Sequence, residues 1–364
     1  MYAINRSRDR FYLRKPSLLA CHHSCIFENY FSGDFVGIEK GQTMLLDVDT
    51  PVLSFLLVKG GTFIFDRKDL HLQSEFIFIT ENGNFEIGTE EEPFEHHAKI
   101  TIHGHVRSKE LPVYGTKSIA LRTGYLGLHG KHILHTWTKL SQTADAGSTQ
   151  IHLIHSVLDW KVGDEIIIAS TSKSIRENEV VTITAVSNDG RTLSITPPLK
   201  YTHVSIVQTL AGRDIETRGE VGLLSRNVVI QGSVHDEWDG EIENCPKDFD
   251  PGQFARQTCF NGRFGAEMES DEFGVQIMIH SDQKSKGLAV AHFNHIEITH
   301  AGQAFRLGRY PIHFHMEGDV GGSYVKGCAI HRSFNRAVTM HHVHNLVVER
   351  NVIYDILGKY FNYY

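Results

Sequence analysis

The chain has 364 residues, 41% of them hydrophobic, and its 36 Lys or Arg against 43 Asp or Glu give a formal net charge of −7. This length supplies a sizeable core for two or three domains or one elongated repeat structure. The charge gives no general attraction for nucleic acid or an anionic membrane, and no run approaches the roughly 20 apolar residues that cross a bilayer. We therefore expect no nucleic-acid partner and no membrane span in this chain.

The N-terminal segment differs in character from the rest. Residues 1–28 carry basic side chains and a short apolar patch, too short for the apolar region of a signal peptide, and we regard them as an atypical leader. The single glycosylation sequon, Asn5-Arg6-Ser7, lies in this leader. The run "CHHSC" at 21–25 has metal-capable side chains but no second ligand cluster at the usual spacing.

The five cysteines do not form a dense disulfide framework. Cys245 and Cys259 flank the polar insertion "CPKDFDPGQFARQTC", which has few apolar residues to hold it folded. They are the candidate disulfide, and in an oxidising compartment this bridge would contribute about 3 kcal/mol. Cys328 lies beside Ala329 and Ile330, and we expect it to be buried.

From residue 33 to about 210 the chain consists of short alternating apolar runs punctuated by glycine, such as "TFIFD", "FIFITENGN" and "KITIHG". Alternation with period two and frequent turn residues predicts an all-β fold with few helices. The later part of this range is a compact β connector, in which "WKVGDEIIIAST" and "EVVTITAVSNDGRTLSITPPL" are predicted strand pairs. Trp137 and Trp160 flank its start, and we expect them to pack the junction.

The strands after "RNVVIQG" recur at longer intervals. Ile298, Ile330 and Ile353 occupy similar apolar strings and are 32 and then 23 residues apart. An interval of 23 suits one coil of a parallel β-helix, and 32 suits a coil lengthened by a loop, for which "MEGDVGG" is the obvious material. The sequence stops at "GKYFNYY" without an evident polar cap, so we expect a truncated product or part of a larger protein.

Several uncommon strings carry a resemblance to a known family. "GDFVGIEKGQTMLLDVDTPVLSFLLVKGGTFIF", "FEIGTEEEPF" and "LHGKHILHTWTKL" look like a G8 domain, a glycine-rich all-β module. The later strings "EVGLLSRNVVIQG", "GQAFRLGRYPIHFHMEGD" and "NRAVTMHHVHNLVVERNVIYDI" resemble the G8 and β-helix portion of the fibrocystin-L family, with its PbH1-type repeats.

This resemblance implies an extracellular part of a large, single-pass membrane protein that acts as a receptor or surface-coat component, possessing an extracellular glycan or protein partner. The same arrangement is similar to that of cell-surface and secreted proteins that bind or degrade hyaluronan. The resemblance therefore also supplies an alternative, a hyaluronan-depolymerising glycosidase.

Ten of the 24 histidines follow residue 279, and two of them lie close to two carboxylates in the stretch "GRYPIHFHMEGD" at 308–319. In a strand, His313 and His315 share one face, and "TMHHVHN" places His342 and His344 in the same relation one coil later. These four are candidate ligands for a divalent metal. The alternative is a histidine ladder held by hydrogen bonds alone, and no cofactor is required.

Candidate residues for glycan chemistry lie nearby. Hydrolysis of a glycosidic bond usually needs two carboxyl groups, and Glu317 and Asp319 join His313 and His315 as candidate catalytic residues, although they fall in an expected loop. Arg306, Arg309 and Tyr310 are candidate glycan contacts because guanidinium groups bind sugar carboxylates and aromatic rings stack on sugars. The arginines also suit surface ion pairs.

The sequence thus predicts an all-β protein with a leader at 1–28, a G8 domain at 29–140, a β connector at 141–212 and the coils of a right-handed parallel β-helix at 213–364. A binding or structural module is favoured over an enzyme.

Overall fold

The computed structural model describes residues 31–105, 108–234, 272–281, 288–304 and 306–357, together with the backbone of 2–7, 10–14 and 361–363. Within these residues the protein is built almost entirely from strands, and the one short helix is a 3-10 turn at Ile175–Glu177. No helix in this part of the chain is long and apolar enough to span a membrane. The predicted all-β class is confirmed.

The strands are short, as expected for alternating runs interrupted by turn residues. In chain order they are β1 Tyr2–Ser7, β2 Arg10–Arg14, β3 Phe35–Glu39, β4 Thr43–Leu46, β5 Phe55–Lys59, β6 Thr62–Phe65, β7 Leu70–Ser74, β8 Phe76–Thr80, β9 Gly83–Ile87, β10 Ala98–Ile102, β11 Ser118–Leu121, β12 Gly124–His129, β13 Trp137–Lys139, β14 Gln150–His152, β15 Glu165–Ile168, β16 Glu179–Val186, β17 Thr192–Thr196, β18 Ser205–Leu210, β19 Arg213–Arg218, β20 Glu220–Leu223, β21 Val228–Gly232, β22 Gln276–Ile279, β23 Ala289–Asn294, β24 Glu297–Thr299, β25 Ile312–Asp319, β26 Tyr324–Lys326, β27 Ala329–Ser333, β28 Val338–His344, β29 Val347–Glu349, β30 Val352–Ile356 and β31 Phe361–Tyr363.

Three long sheets form the body of a parallel β-helix. Sheet A has the order β2-β1-β3-β5-β8-β11-β22-β25-β28-β31, sheet B the order β29-β26-β23-β12-β9-β6-β4, and sheet C the order β30-β27-β24-β21-β10-β7. Apart from β1 and β2, which pair antiparallel, neighbouring strands in these sheets run parallel. The parallel coils already begin at β3, so the strands of segment 29–140 share sheets with those after residue 213.

The isoleucine spacing seen in the sequence is the register of sheet C. Ile298 pairs with Ile330, and Ile330 pairs with Ile353, so the two intervals are successive coils as predicted. The same row continues back through Ile230 to Ile100. These side chains point into the coil, where they join one continuous apolar core that also contains Phe314 and Cys328.

The connector forms a separate six-stranded sheet in the order β13-β20-β15-β16-β17-β14, in which strand pairs run antiparallel. It has its own apolar core, which includes Trp160. The indole N–H of Trp160 donates to the carbonyl oxygen of His135 at 2.8 Å, which fixes the start of the connector. Strands β18 and β19 form an exposed hairpin beside this sheet.

A buried arginine joins the connector to the coils. Arg226, 6% exposed, donates from Nη1 to the carbonyl oxygens of Leu223 and Ser225, and from Nε and Nη2 to that of Gly327. Burial lowers the pKa of Arg226 to about 10, so it remains a cation at neutral pH. One side chain thus satisfies carbonyl groups from both parts of the fold.

Candidate functional site

Strand β25 is buried on both faces. Phe314 enters the core, while His313 and His315 point to the outer face, as strand alternation requires. Yet all three side chains are 0% exposed, because the outer face of sheet A is covered at this point. The expected shared face of the two histidines is present, but it is not an open surface.

Four imidazoles gather on this outer face, from β25, β28 and the residue after β22. We call His280, His313, His315 and His341 the histidine cluster. His315 pairs in register with His341, and its ring centroid lies 4.9 Å from that of His341, 5.0 Å from that of His313 and 4.8 Å from that of His280. One ligand atom from each of His313, His315 and His341 lies within 4.8 Å of the other two.

Hydrogen bonds to backbone carbonyls orient two members of the cluster. His313 Nδ1 lies 3.1 Å from the carbonyl oxygen of Gly308, which places the proton on Nδ1 and the lone pair on Nε2. His280 Nδ1 lies 3.0 Å from the carbonyl oxygen of His315 and also 3.0 Å from His315 Nδ1. A proton on His280 Nδ1 serves the carbonyl and leaves His315 Nδ1 as an acceptor.

Burial keeps these imidazoles neutral. Desolvation, followed by the neighbouring His315, lowers the pKa of His313 well below its usual 6.5. Desolvation and the neighbouring His280 and His341 lower the pKa of His315 to about 3, and desolvation followed by His342 lowers that of His341. At neutral pH the three therefore present lone pairs and no net charge.

The two other predicted metal ligands lie elsewhere on β28. The pairing of β25 with β28 shifts between His315 and Gly318, and His342 adopts a φ of 49°. This irregularity turns His342 out to solvent and pairs His344 with Asp319. The structure therefore brings together His313 and His315 with His341, a residue that was not among the candidates.

The predicted carboxylate pair occupies two different environments. Residues Met316 to Asp319 continue β25 instead of forming the expected loop, and the turn begins afterwards. Glu317 is 0% exposed and its Oε2 accepts a hydrogen bond from Ser281 Oγ at 3.1 Å, whereas Asp319 is exposed and its Oδ1 accepts from the Gly321 N–H at 2.8 Å. Asp319 therefore stabilises the turn while Glu317 is inside.

The predicted glycan contacts are buried, and one of them, Tyr310, lies against the histidine cluster. Arg306, Arg309 and Tyr310 are 4%, 7% and 2% exposed. Arg309 Nη1 donates to the carbonyl oxygen of Val113 at 2.9 Å, and the Tyr310 ring meets that of His313 edge-on, with centroids 4.9 Å apart. Burial places these groups beneath the surface and lowers the pKa of Arg306 to about 10.

Of the three cysteines with a prediction, the structure describes only Cys328. Cys328 is buried in the core as expected, and burial raises its pKa to about 11, which makes it unreactive at neutral pH. Cys245 and Cys259 lie outside the described residues, so their pairing stays a prediction.

A groove at the junction of connector and coils is a feature that sequence reasoning missed. It has a volume of about 350 Å³ and lies between the edge strand β13 and strand β30. Trp137, 43% exposed, lies on one side and Tyr354 on the other. Its lining is Trp137, Ile167, Ala169, Asn178, Glu220, Gly222, Asn351, Val352, Ile353 and Tyr354.

Comparison with known families and proteins agrees with the fold. The G8 domain model matches residues 29–141, and the CEMIP beta-helix model matches residues 272–363. Fibrocystin-L of Homo sapiens and of Mus musculus is 52% and 51% identical over 333 residues, covering 90% of this chain and 8% of each relative. Fibrocystin of Mus musculus is 33% identical over 329 residues, again covering 90% of this chain and 8% of the relative.

Among solved structures, the tailspike gp61 of Pseudomonas phage phi297 aligns over 79% of this chain and 39% of its own at 11% identity, with a TM-score of 0.23 that is too low to support an inference. The chain spans about 8% of the length of the fibrocystin-L proteins that it matches. Its residues 29–141 are similar to G8 domains and its residues 272–363 to the CEMIP beta-helix, and over 90% of its length it resembles a segment of fibrocystin-L.

Proposed function

We propose that this chain is an extracellular binding and structural module of a fibrocystin-L-like cell-surface protein, and that it contacts glycans through the groove at Trp137. The identity to fibrocystin-L, 52% over 90% of this chain, is the observation that carries the module reading. The sheets that run without a break from the G8 segment into the later coils support a structural role.

The groove has the features of a sugar-binding surface. Pockets of about 300–1,000 Å³ accommodate small ligands, and this one measures about 350 Å³. Aromatic faces bind the apolar faces of sugar rings, and the lining contains two such rings, Trp137 and Tyr354, together with the polar residues Asn178, Glu220 and Asn351. Gly222 makes the close approach of the two walls possible, since a Cβ there would lie 2.7 Å from Val352 Cγ1.

The charge of the groove favours an uncharged sugar over a polyanion. Among its lining residues Glu220 is the single ionisable carboxylate, and no lysine or arginine contributes to the described wall. A carboxylate repels the uronate groups of hyaluronan, and the net charge of −7 adds to this repulsion. Neutral hexosamine or hexose units fit the groove better.

The test measures binding and cleavage separately on the purified chain. Defined-length hyaluronan and neutral N-acetylhexosamine oligomers are each titrated, and polymer size is followed in parallel with and without chelator. We expect the neutral oligomer to bind without shortening, and Trp137→Ala to weaken this binding at least about tenfold because it removes the stacking face. The control is Leu158→Ala, a comparably exposed apolar residue away from the groove at 64% exposure.

A hyaluronan-depolymerising enzyme is the alternative outcome of the same experiment. It would shorten hyaluronan, and the His313→Ala/His315→Ala double variant would lose this activity. The buried Glu317 and the exposed Asp319 do not form the pair of facing carboxyl groups that glycoside hydrolysis uses. Absence of binding to both polymers, or equal binding by Trp137→Ala and the parent chain, would refute the glycan proposal.

A further inference from the structure

The geometry of the histidine cluster points to a metal site, and we propose that His313, His315 and His341 bind one divalent transition-metal ion, for which Zn²⁺ is the best fit. Their ligand atoms already lie within 4.8 Å of one another. Tetrahedral Zn²⁺ with bonds of about 2.0–2.1 Å needs nitrogen atoms roughly 3.3 Å apart. Binding therefore requires the imidazole rings to move together, and it requires His315 either to exchange its Nδ1 contact with His280 for the ion or to carry its proton on Nδ1.

His313 is oriented as a metal-binding histidine usually is. Its Nδ1–H donates to the carbonyl oxygen of Gly308, which fixes the ring and leaves Nε2 as the metal-binding atom. This Nε2 is fully buried and has no hydrogen-bond partner among the described residues. A buried polar atom without a partner is costly, and a bound cation would satisfy it.

The coil itself does not require histidine at this place. In the row of sheet A that contains His313, the preceding coils carry Ala120 and Met278, both buried and apolar. An apolar side chain is therefore accommodated at the same position of the repeat. The change to buried imidazoles at His313 and His315 on β25 adds a desolvation cost that an apolar side chain would not carry.

The ligand chemistry selects the class of ion. Three neutral imidazoles without a carboxylate suit Zn²⁺ and its transition-metal neighbours, whereas Ca²⁺ and Mg²⁺ require oxygen ligands. A set of three protein ligands leaves a fourth position for water or a substrate group. The buried carboxyl group of Glu317 follows on the same strand, two residues after His315.

Access to the site runs past His341. His341 is partly exposed, unlike His313 and His315, and its ring lies 4.7 Å from that of the exposed His342. An ion can therefore enter from the solvent side of β28, reaching His341 first. Substitution of His341 also disturbs packing least, which makes it the informative variant.

The experiment uses the full chain without an affinity tag and Zn²⁺ as the probe. Cys21 and Cys25 are changed to serine in every sample, so that the "CHHSC" run does not contribute bound metal. Calorimetry and metal analysis of the dialysed protein are expected to give one Zn²⁺ per chain with about micromolar or tighter affinity. His341→Gln should weaken this binding at least about 100-fold.

His342→Gln and His344→Gln are the matched controls, because both residues are exposed histidines on the same strand. They should bind Zn²⁺ as the parent does. Co²⁺ should give the visible absorption of a tetrahedral site in the parent and controls but not in His341→Gln. Zn²⁺ should raise the unfolding temperature of the parent and the two controls but not that of His341→Gln. Unfolding curves recorded without metal show whether His341→Gln is folded like the parent.

Three results would overturn the assignment. One is a parent chain that binds no Zn²⁺ at micromolar concentration, and another is a folded His341→Gln variant that binds as the parent does. The third is loss of binding in His342→Gln or His344→Gln, which would require a different ligand set.

Discussion

Acid should destabilise the protein through His295, a buried histidine at the turn after β23. His295 is 6% exposed, its ring centroid lies 4.8 Å from that of His132, and its Nδ1 lies 2.7 Å from Asn294 Oδ1. Burial, then the charge of Arg226 and then His132, lowers its pKa from 6.5 to about 4. Folding therefore requires the neutral imidazole, whereas the unfolded chain accepts a proton below pH 6.5.

This difference in proton uptake determines how the free energy of unfolding changes with pH. Because the folded pKa is lowered, the contribution to stability is complete above pH 6.5 and is lost as the pH falls through the window from 6.5 to about 4. The free energy of unfolding should decrease by about 2 kcal/mol at pH ~5 and by about 3 kcal/mol below pH ~4, from this one group.

The variant His295→Asn isolates the contribution. His295 has a φ of 51°, which asparagine tolerates better than most residues, so the substitution removes the titrating group without forcing the backbone. Urea unfolding is measured from pH ~7.5 to pH ~4.5 for the parent, for His295→Asn and for the control His97→Asn, which replaces an exposed histidine. The parent and the control should lose stability more steeply than His295→Asn. Parallel curves for all three proteins would refute the reasoning.

Three further predictions concern core packing and buried hydrogen bonds, with Gly37→Ala as a control for the first. Gly83→Ala should lower the free energy of unfolding, measured in urea, by about 2 kcal/mol or more, because its Cβ would lie 2.4 Å from the carbonyl oxygen of Val58. Gly37→Ala should cost less, because its Cβ would meet only a side chain, at 3.1 Å. Phe293→Ala should lower the free energy of unfolding by about 3–5 kcal/mol, since the side chain is 0% exposed in the core, and a loss under about 1 kcal/mol would contradict its core role. Arg226→Met should cost about 3 kcal/mol by leaving buried carbonyl groups unpaired, and an unchanged unfolding midpoint would exclude this role.

The coil could be predicted from the sequence because its core repeats. Ile298, Ile330 and Ile353 are apolar for the same reason, namely that each fills the same position of a stacked coil, and their register in sheet C follows their spacing. Loop lengths change the interval without changing the pairing. The alternation rule likewise placed His313 and His315 on one face.

Matching the histidine pair of β25 to the pair His342 and His344 of β28 did not identify His341 as the neighbour of His315. Aligning the apolar residues Ile312 and Val338 instead places His315 opposite His341, which is the register observed. The irregularity beyond His315 then changes which residues face outward, and it depends on local φ values of 56° at Met316 and 49° at His342. Methionine does not signal a left-handed conformation, and histidine, although enriched there, is found far more often outside it.

Strand alternation also could not predict that the histidine face of β25 is buried. Alternation tells which face a side chain takes, but cover over that face comes from remote segments. The carbonyl of Val113 accepts a hydrogen bond from Arg309, and a Cβ at Gly115 would lie 2.7 Å from the same guanidinium, so the segment before β11 closes over β25. Arginines that the sequence suggested for a surface are consequently buried.

The groove at Trp137 shows how distant residues make one surface. Trp137 belongs to the connector and Tyr354 to β30. Nearby, the guanidinium of Arg226 bonds to Leu223 of the connector and to Gly327, just before β27 of the coils. Because Leu223 ends β20, a strand that lines the groove, loss of these bonds removes one link across the junction, while the hydrogen bonds from Arg332 to Glu165 remain. If the groove binds glycans as proposed, Arg226→Met should therefore weaken that binding as well as the fold, since the residue links the connector to the coils.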